Sequence, residues 1–186
     1  MKLAPAFAGA LFLTTILGAC GIGPSLESGQ VVAKGGVDFS AGFKVKNVAP
    51  GEINSMNITG LCVEGGDEGT VTSVEAAPDS GVAVREFTVL DETDIGGTRR
   101  SFEELGIEVE HDVASGCDEE GSGPQLLVEL YLPNSRSAYT PYLEVESEID
   151  GKTESFRYPL GLTLCVLGDS AKVCTADEAR AGHLGD

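Results

Sequence analysis

Leu143-Glu144-Val145-Glu146-Ser147-Glu148-Ile149-Asp150-Gly151-Lys152-Thr153-Glu154-Ser155-Phe156-Arg157-Tyr158 decides the fold. Leu143, Val145, Ser147 and Ile149 alternate with three glutamates, a period of two that gives a strand one dry and one wet face. Asp150-Gly151 then has the composition of a two-residue type I′ turn, in which both central residues take positive φ. Counting outward from that turn sets Ile149 opposite Lys152, Val145 opposite Phe156, Leu143 opposite Tyr158 and Glu144 opposite Arg157. Apolar residues meet on one face and opposite charges on the other, so turn and pattern agree on one register.

The same reading extends in both directions. Toward the C-terminus, Leu160 to Leu167 continues as a last strand or a bulged extension. Toward the N-terminus, Leu126, Val128, Leu130 and Leu132 form an apolar strand stopped by Pro133, and Leu105, Ile107, Val109, His111 and Val113 alternate with polar residues as another. Ser101 and Glu104 have the spacing of a capping box, which predicts one helical turn over Phe102 to Leu105, stopped by Gly106. Further back come Val82 to Leu90, Val71 to Ala76, Ile53 to Val63 with Met56, Ile58 and Cys62 on one side, and an alternating stretch from Val37 to Val45. Pro50-Gly51, Gly65 to Gly69 and Pro78 to Gly81 supply turns between them. Gly65-Gly66-Asp67-Glu68-Gly69 looks superficially like the signature of diguanylate cyclases, but a hairpin loop accounts for it.

No segment offers the helix of a βαβ crossover, so the sheets should be antiparallel. Seven to nine short strands with frequent turns read as an all-β, antiparallel β-sandwich of roughly immunoglobulin type, with a closed β-barrel as the alternative. The chain has no tryptophan, so the core tryptophan of immunoglobulin domains is missing.

The N-terminus carries a different kind of signal. After Met1-Lys2, an apolar run from Leu3 to Ile16 ends in Leu17-Gly18-Ala19-Cys20. A cationic start, a short apolar segment and small residues describe a secretory signal peptide. These residues resemble the lipobox of bacterial lipoproteins: a leucine, two small residues and a cysteine. The resemblance covers residues 1–20 and implies diacylglyceryl transfer to the Cys20 sulfur, cleavage after Ala19 and an extracytoplasmic protein anchored to a bacterial cell membrane, or to the outer membrane where there are two. Two or more acyl chains, at ~0.8 kcal/mol per buried CH₂, make a stable anchor.

Four regions follow: signal peptide 1–19, a Gly- and Ser-rich tether 20–36, a sandwich domain 37–168, and a C-terminal part 169–186 comprising a disulfide-closed turn and a short helix capped by Thr175 and Glu178.

Five cysteines leave one odd. With Cys20 assigned to lipid, Cys62, Cys117, Cys165 and Cys174 form an even set suited to disulfides outside the cytoplasm. Gly168-Asp169-Ser170 can fold Cys174 back on Cys165, which leaves Cys62 for Cys117 at neighbouring strand ends. Cys62 with Cys165 stays open as the inter-sheet alternative of immunoglobulin type.

Chemistry is sparse. The chain holds 30 Asp plus Glu against 12 Lys plus Arg, a net charge of −18, which argues against nucleic acid as a partner. Two histidines give a Ser-His-Asp or Cys-His arrangement little to work with: His183 lies in the tail, and His111, on an apolar strand face, reads as a hydrogen-bonded core residue. No Cys-x-x-Cys pair suggests redox exchange or zinc. Asp91-Glu92-Thr93-Asp94 and Asp118-Glu119-Glu120 could give calcium some of its oxygens, but lack EF-hand spacing. Arg99-Arg100 either clamps an anion or neutralises Asp91, Glu92 and Asp94 in its own loop. Asn57-Ile58-Thr59 has the form of a glycosylation sequon, an accident in a bacterial chain. No catalytic, cofactor or metal residue is assigned. The composition supports a non-catalytic binding or structural module of the cell envelope with a protein or polymer partner. A hydrolase or lyase working with carboxylates alone is the alternative.

Overall fold

The computed structural model describes residues 29–34, 41–66, 68–91, 95–114, 116–117, 123–169 and 174. The signal peptide, Cys20, His183, the second capping box and most of the two acidic loops lie outside the described residues.

The strands are β1 (Gln30–Ala33), β2 (Ala41–Val48), β3 (Asn54–Glu64), β4 (Gly69–Ala76), β5 (Ala83–Leu90), β6 (Asp112–Val113), β7 (Gln125–Tyr131), β8 (Ala138–Thr140), β9 (Leu143–Ile149), β10 (Lys152–Tyr158) and β11 (Leu160–Val166), with a one-turn helix α1 (Phe102–Leu105) between β5 and β6. The fold is all-β. Three sheets run in the orders β1-β3-β7-β5, β10-β9-β4-β6 and β2-β11-β8.

The β9–β10 hairpin forms in the expected register. Ile149 faces Lys152, Val145 faces Phe156, Arg157 faces Glu144 and Tyr158 faces Leu143. Asp150 and Gly151 have φ of 52° and 74°, as a type I′ turn requires. Leu143, Val145, Ser147 and Ile149 are buried while Glu146 and Glu148 face water. The hairpin then continues into the third sheet, because β8 runs into β9 through Pro141 and β10 runs into β11 through Pro159. Proline has no N–H to give a ladder, so both strands bend together there. At the corner, the Ala77 N–H donates to Thr140 Oγ1 at 3.1 Å and to the Tyr142 carbonyl at 3.3 Å.

The first two sheets curl around one apolar core. Val31, Leu61, Val71, Val113, Leu126 and Val145 are all sealed from solvent within it. Fully burying such a side chain contributes roughly 1.5–3 kcal/mol. Along one side the sheets are joined by the segment after α1: the Val89 N–H donates to the Glu110 carbonyl, and the Val71 N–H to the His111 carbonyl. This strap turns the pair into a curled half-barrel.

Four expectations are corrected. Residues 30–33, assigned to the tether, form β1, because Val31 and Ala33 pair with Val63 and Leu61 and are buried beside them. The strand expected from Leu105 to Val113 shrinks to Asp112–Val113. Leu105 belongs to α1, Gly106 caps it at φ 69°, and Val109 lies 46% exposed. Pairing is not antiparallel throughout, since β2 and β11 are parallel. The rest of the domain supplies the connection between them, so no crossover helix is needed. Finally, Cys62 does not share a face with Met56 and Ile58. A bulge at Ile58 shifts the β3 register and turns Leu61 and Val63 inward instead. Strand β8 carried too short a pattern to be expected.

Candidate functional site

The sequence Val48-Ala49-Pro50-Gly51-Glu52 folds as a tight turn. The Glu52 N–H donates to the Ala49 carbonyl at 3.0 Å, and Gly51 takes φ 77°, the conformation of glycine after proline in a type II turn. Such a turn ordinarily closes a hairpin. Here the strands it joins part company: β2 pairs with β11, and β3 with β7 and β1. A groove of about 650 Å³ opens between them, with Phe43 to Asn47 on one side, Asn54 to Met56 on another and Gly96 to Arg99 on the third.

The segment of residues 96–99 meets backbone groups that the splayed strands leave unpaired. Thr98 exchanges two backbone hydrogen bonds of 2.9 Å with Ser55. The Arg99 guanidinium donates to the Lys46 carbonyl, to the Asn47 carbonyl at 3.2 Å and to Glu52 Oε1 at 3.3 Å. Glu52 Oε2 in turn accepts the Ala49 N–H at 2.7 Å, tying turn and arginine together. Arg99 is therefore bound to Glu52 and to β2; among the described residues of its own loop no acid pairs with it, and residues 92–94 lie outside the description. Arg100 donates to the Glu104 carbonyl at the end of α1.

Three cations line this groove, Lys44, Lys46 and Arg99, and no carboxylate does so among the described residues. Lys44 Nζ donates to the Cys174 carbonyl at 3.4 Å. Lys46 is exposed. Asn54 is 4% exposed, with its amide oriented by donation to the Glu52 carbonyl at 3.1 Å, and its Oδ1 finds no donor among the protein atoms. A buried acceptor without a donor is destabilising by roughly 1–3 kcal/mol, which a ligand hydroxyl could recover. A Cβ at Gly96 or Gly97 would meet nothing within 4 Å, so that wall is open.

A second groove, of about 550 Å³, has the opposite character. Glu68, Asp112, Glu148 and Asp150 line it beside Thr70 and Thr72, with no cation among its lining residues. Thr70 Oγ1 donates to Asp112 Oδ1 at 2.9 Å. Among the described residues, no three His, Cys, Asp or Glu side chains are grouped to hold a metal ion.

The structure pairs Cys62 with Cys117 and Cys165 with Cys174, at Cα separations of 4.8 and 5.8 Å. The alternative bridge from Cys62 to Cys165 is thereby excluded. His111 is half-buried and stacks on Phe87 with ring centroids 4.4 Å apart, but its Nε2 has no hydrogen-bond partner, contrary to the satisfied core histidine expected. The Asn57 amide is engaged with Gln125 Oε1 at 3.1 Å.

Two residues escaped the sequence reading. Glu129 sits in an apolar run yet is 2% exposed; its Oε1 accepts the Phe102 N–H at the start of α1, and its Oε2 lies 3.7 Å from Arg85 Nη1. A carboxylate inside Leu126-Leu127-Val128-Glu129-Leu130 was the available signal, since a charge in a central strand must find a partner. Asn54 gave no comparable signal, being one of several polar residues after a turn.

Comparison with known proteins finds no match, whether with family models, with curated sequences or with solved structures.

Proposed function

We propose that the protein is a lipid-anchored, extracytoplasmic and non-catalytic binding module of a bacterial cell envelope, held at the membrane by lipid on Cys20. The observation that carries this reading is the disulfide framework. Cys62–Cys117 and Cys165–Cys174 account for four of the five cysteines and leave Cys20, at the end of the lipobox-like segment, outside both bridges. Structural disulfides persist in oxidising compartments, which supports export. The two curled sheets facing one core support a β-sandwich reading of the domain. The cationic groove is the surface offered to a partner. Growth with labelled palmitate should mark the wild-type chain and leave Cys20→Ser unmarked; equal label on both would overturn the anchor.

The acidic groove favours a second reading, an envelope hydrolase or lyase that uses carboxylates for acid–base work. Under it, Asp112→Asn and Glu148→Gln would each abolish cleavage of envelope polymers by the purified protein. Under the module reading the wild type releases no product.

A further inference from the structure

We infer that the groove between β2 and β3 binds an acidic polysaccharide, its sugar carboxylates held at Lys46 and Arg99 and a sugar hydroxyl donating to Asn54. The inference deepens the binding-module reading and rests on it.

The groove's chemistry selects the ligand class in three steps. First comes charge: in a chain of net charge −18, three cations line one groove with no carboxylate among its described lining residues. The Lys46 ammonium has no hydrogen-bond or ion-pair partner among the described residues, so it can meet an incoming anion. At physiological ionic strength the Debye length is about 8 Å, so distant acidic residues are screened, and with Glu52, paired to Arg99 at 3.3 Å, counted in, the three cations still leave the groove net positive. Second comes hydrogen bonding. Asn54 presents an unmet acceptor: its Oδ1 finds no donor among the protein atoms, while its amide nitrogen already donates to the Glu52 carbonyl. An anion alone cannot satisfy an acceptor, whereas a ligand with both carboxylates and hydroxyls can. Third, Phe43 and Met56 give part of the lining an apolar surface suited to the C–H face of a sugar ring.

An acidic peptide is the nearest competitor, and the backbone disfavours it. Peptides commonly dock by adding a strand to a free sheet edge. Arg99 already occupies the Lys46 and Asn47 carbonyls, and Thr98 occupies the backbone of Ser55, so the edges along this groove are largely closed to that mode. Hydroxyl and carboxylate recognition remains.

The test uses the full chain in detergent micelles and measures binding by calorimetry. The probes are an oligogalacturonate, its fully methyl-esterified form and poly-glutamate. We expect binding of the oligogalacturonate that weakens with added salt, and none of the methyl ester. Lys46→Gln should weaken binding roughly two- to five-fold, the worth of one exposed ion pair. Asn54→Leu should weaken it further at unchanged salt dependence, while Glu154→Gln on the exposed face of β10, outside both grooves, should leave it unchanged. Equal binding of the ester, unaltered binding by Lys46→Gln, or absence of oligogalacturonate binding would overturn the inference. Preference for poly-glutamate would transfer the groove to acidic peptides. Retention of the full chain on isolated envelope fragments distinguishes the two levels. If it persists without oligogalacturonate binding, only the ligand class fails; if both are absent, the binding-module reading fails with it.

Discussion

The two grooves differ in how their charges came to be there. The acidic groove lies where strands pair: β9 alternates Glu144, Glu146 and Glu148 on its wet face, and the ladder with β4 and β10 aligns them. Of its carboxylates, Glu148 is what that alternating pattern leaves in solvent, Asp150 sits in the hairpin turn, Asp112 on β6 and Glu68 just before β4. The cationic groove lies where pairing fails, between strands that a tight turn joins and two different sheets claim. Its arginine is recruited by orphan backbone carbonyls, as buried or half-buried polar groups demand. A charge cluster on a regular sheet face follows from solvation. A charge cluster at a broken ladder, beside a buried acceptor without a donor, follows from unmet backbone hydrogen bonds, and is the surface the proposed ligand would meet.

Each region is pinned by its own disulfide, and this gives the largest expected effect. Cys62–Cys117 ties β3 to the chain just beyond β6, whose Val113 lines the acidic groove; it closes a separation of 55 residues. Cys165–Cys174 braces β11, the partner of β2, across a separation of 9. In the chain-entropy model these loops are worth about 4 and about 3 kcal/mol. The double variant Cys62→Ser with Cys117→Ser should therefore melt below the variant lacking Cys165 and Cys174. The reverse order would mean that the β2–β11 edge, and with it the cationic groove, is the better anchored region.

Next in size are changes at the supports of each groove. Glu129→Ala removes the acceptor for the Phe102 N–H under α1 and a partner of Arg85, which should be destabilising by roughly 1–3 kcal/mol. Hydrogen exchange should rise in residues 98–106, which run from the wall of the cationic groove through α1, before it rises in β9. Uniform exchange would show that Glu129 serves the whole core instead. On the other side, Gly151→Val forces a β-branched residue to φ 74° at the rim of the acidic groove, for roughly 1–2 kcal/mol of strain. A Cβ there would touch nothing within 4 Å, so backbone strain is the whole effect. Asp150→Asn should be mild, since asparagine tolerates the left-handed region. Equal melting of Gly151→Val and Asp150→Asn would contradict the type I′ turn.

The acidic region was readable from sequence and the cationic one was not, for a physical reason. Hairpin register follows from local pattern and a two-residue turn, so Leu143 to Tyr158 carried its own pairing. The capping box at Ser101 and Glu104 was equally local and formed as expected. Where the outcome depends on which sheet captures a strand, local pattern is mute. Ile53 to Val63 was read as one alternating strand, and a single bulge at Ile58 turned Cys62 to the face opposite Leu61 and Val63, where it is buried and bridged to Cys117. Gln30–Ala33 looks like linker because four residues hold no period worth reading; β3 makes them a strand. Arg99 stood out as half of a basic pair, but its partners, two carbonyls of β2 and Glu52, lie about fifty residues away in sequence. Nothing in a linear pattern announces them.

The smallest expected effect compares one residue from each groove. Arg99→Lys keeps the charge but loses the planar fork that reaches two carbonyls and Glu52 together; an ammonium can hold part of that set. With the side chain about half exposed, the loss should be about 1 kcal/mol. Glu148→Gln removes one exposed charge from a row of like charges and should change stability by less than about 0.5 kcal/mol, toward stabilisation. Salt separates the two mechanisms. Added salt screens repulsion along the acidic face, so the difference between Glu148→Gln and wild type should vanish at high ionic strength. The Arg99→Lys difference comes mainly from hydrogen bonds to neutral carbonyls and should persist there. If instead the Arg99→Lys difference disappears with salt, the arginine acts as a simple charge, and the contrast between a ladder's solvated face and a broken ladder's recruited cation loses its basis.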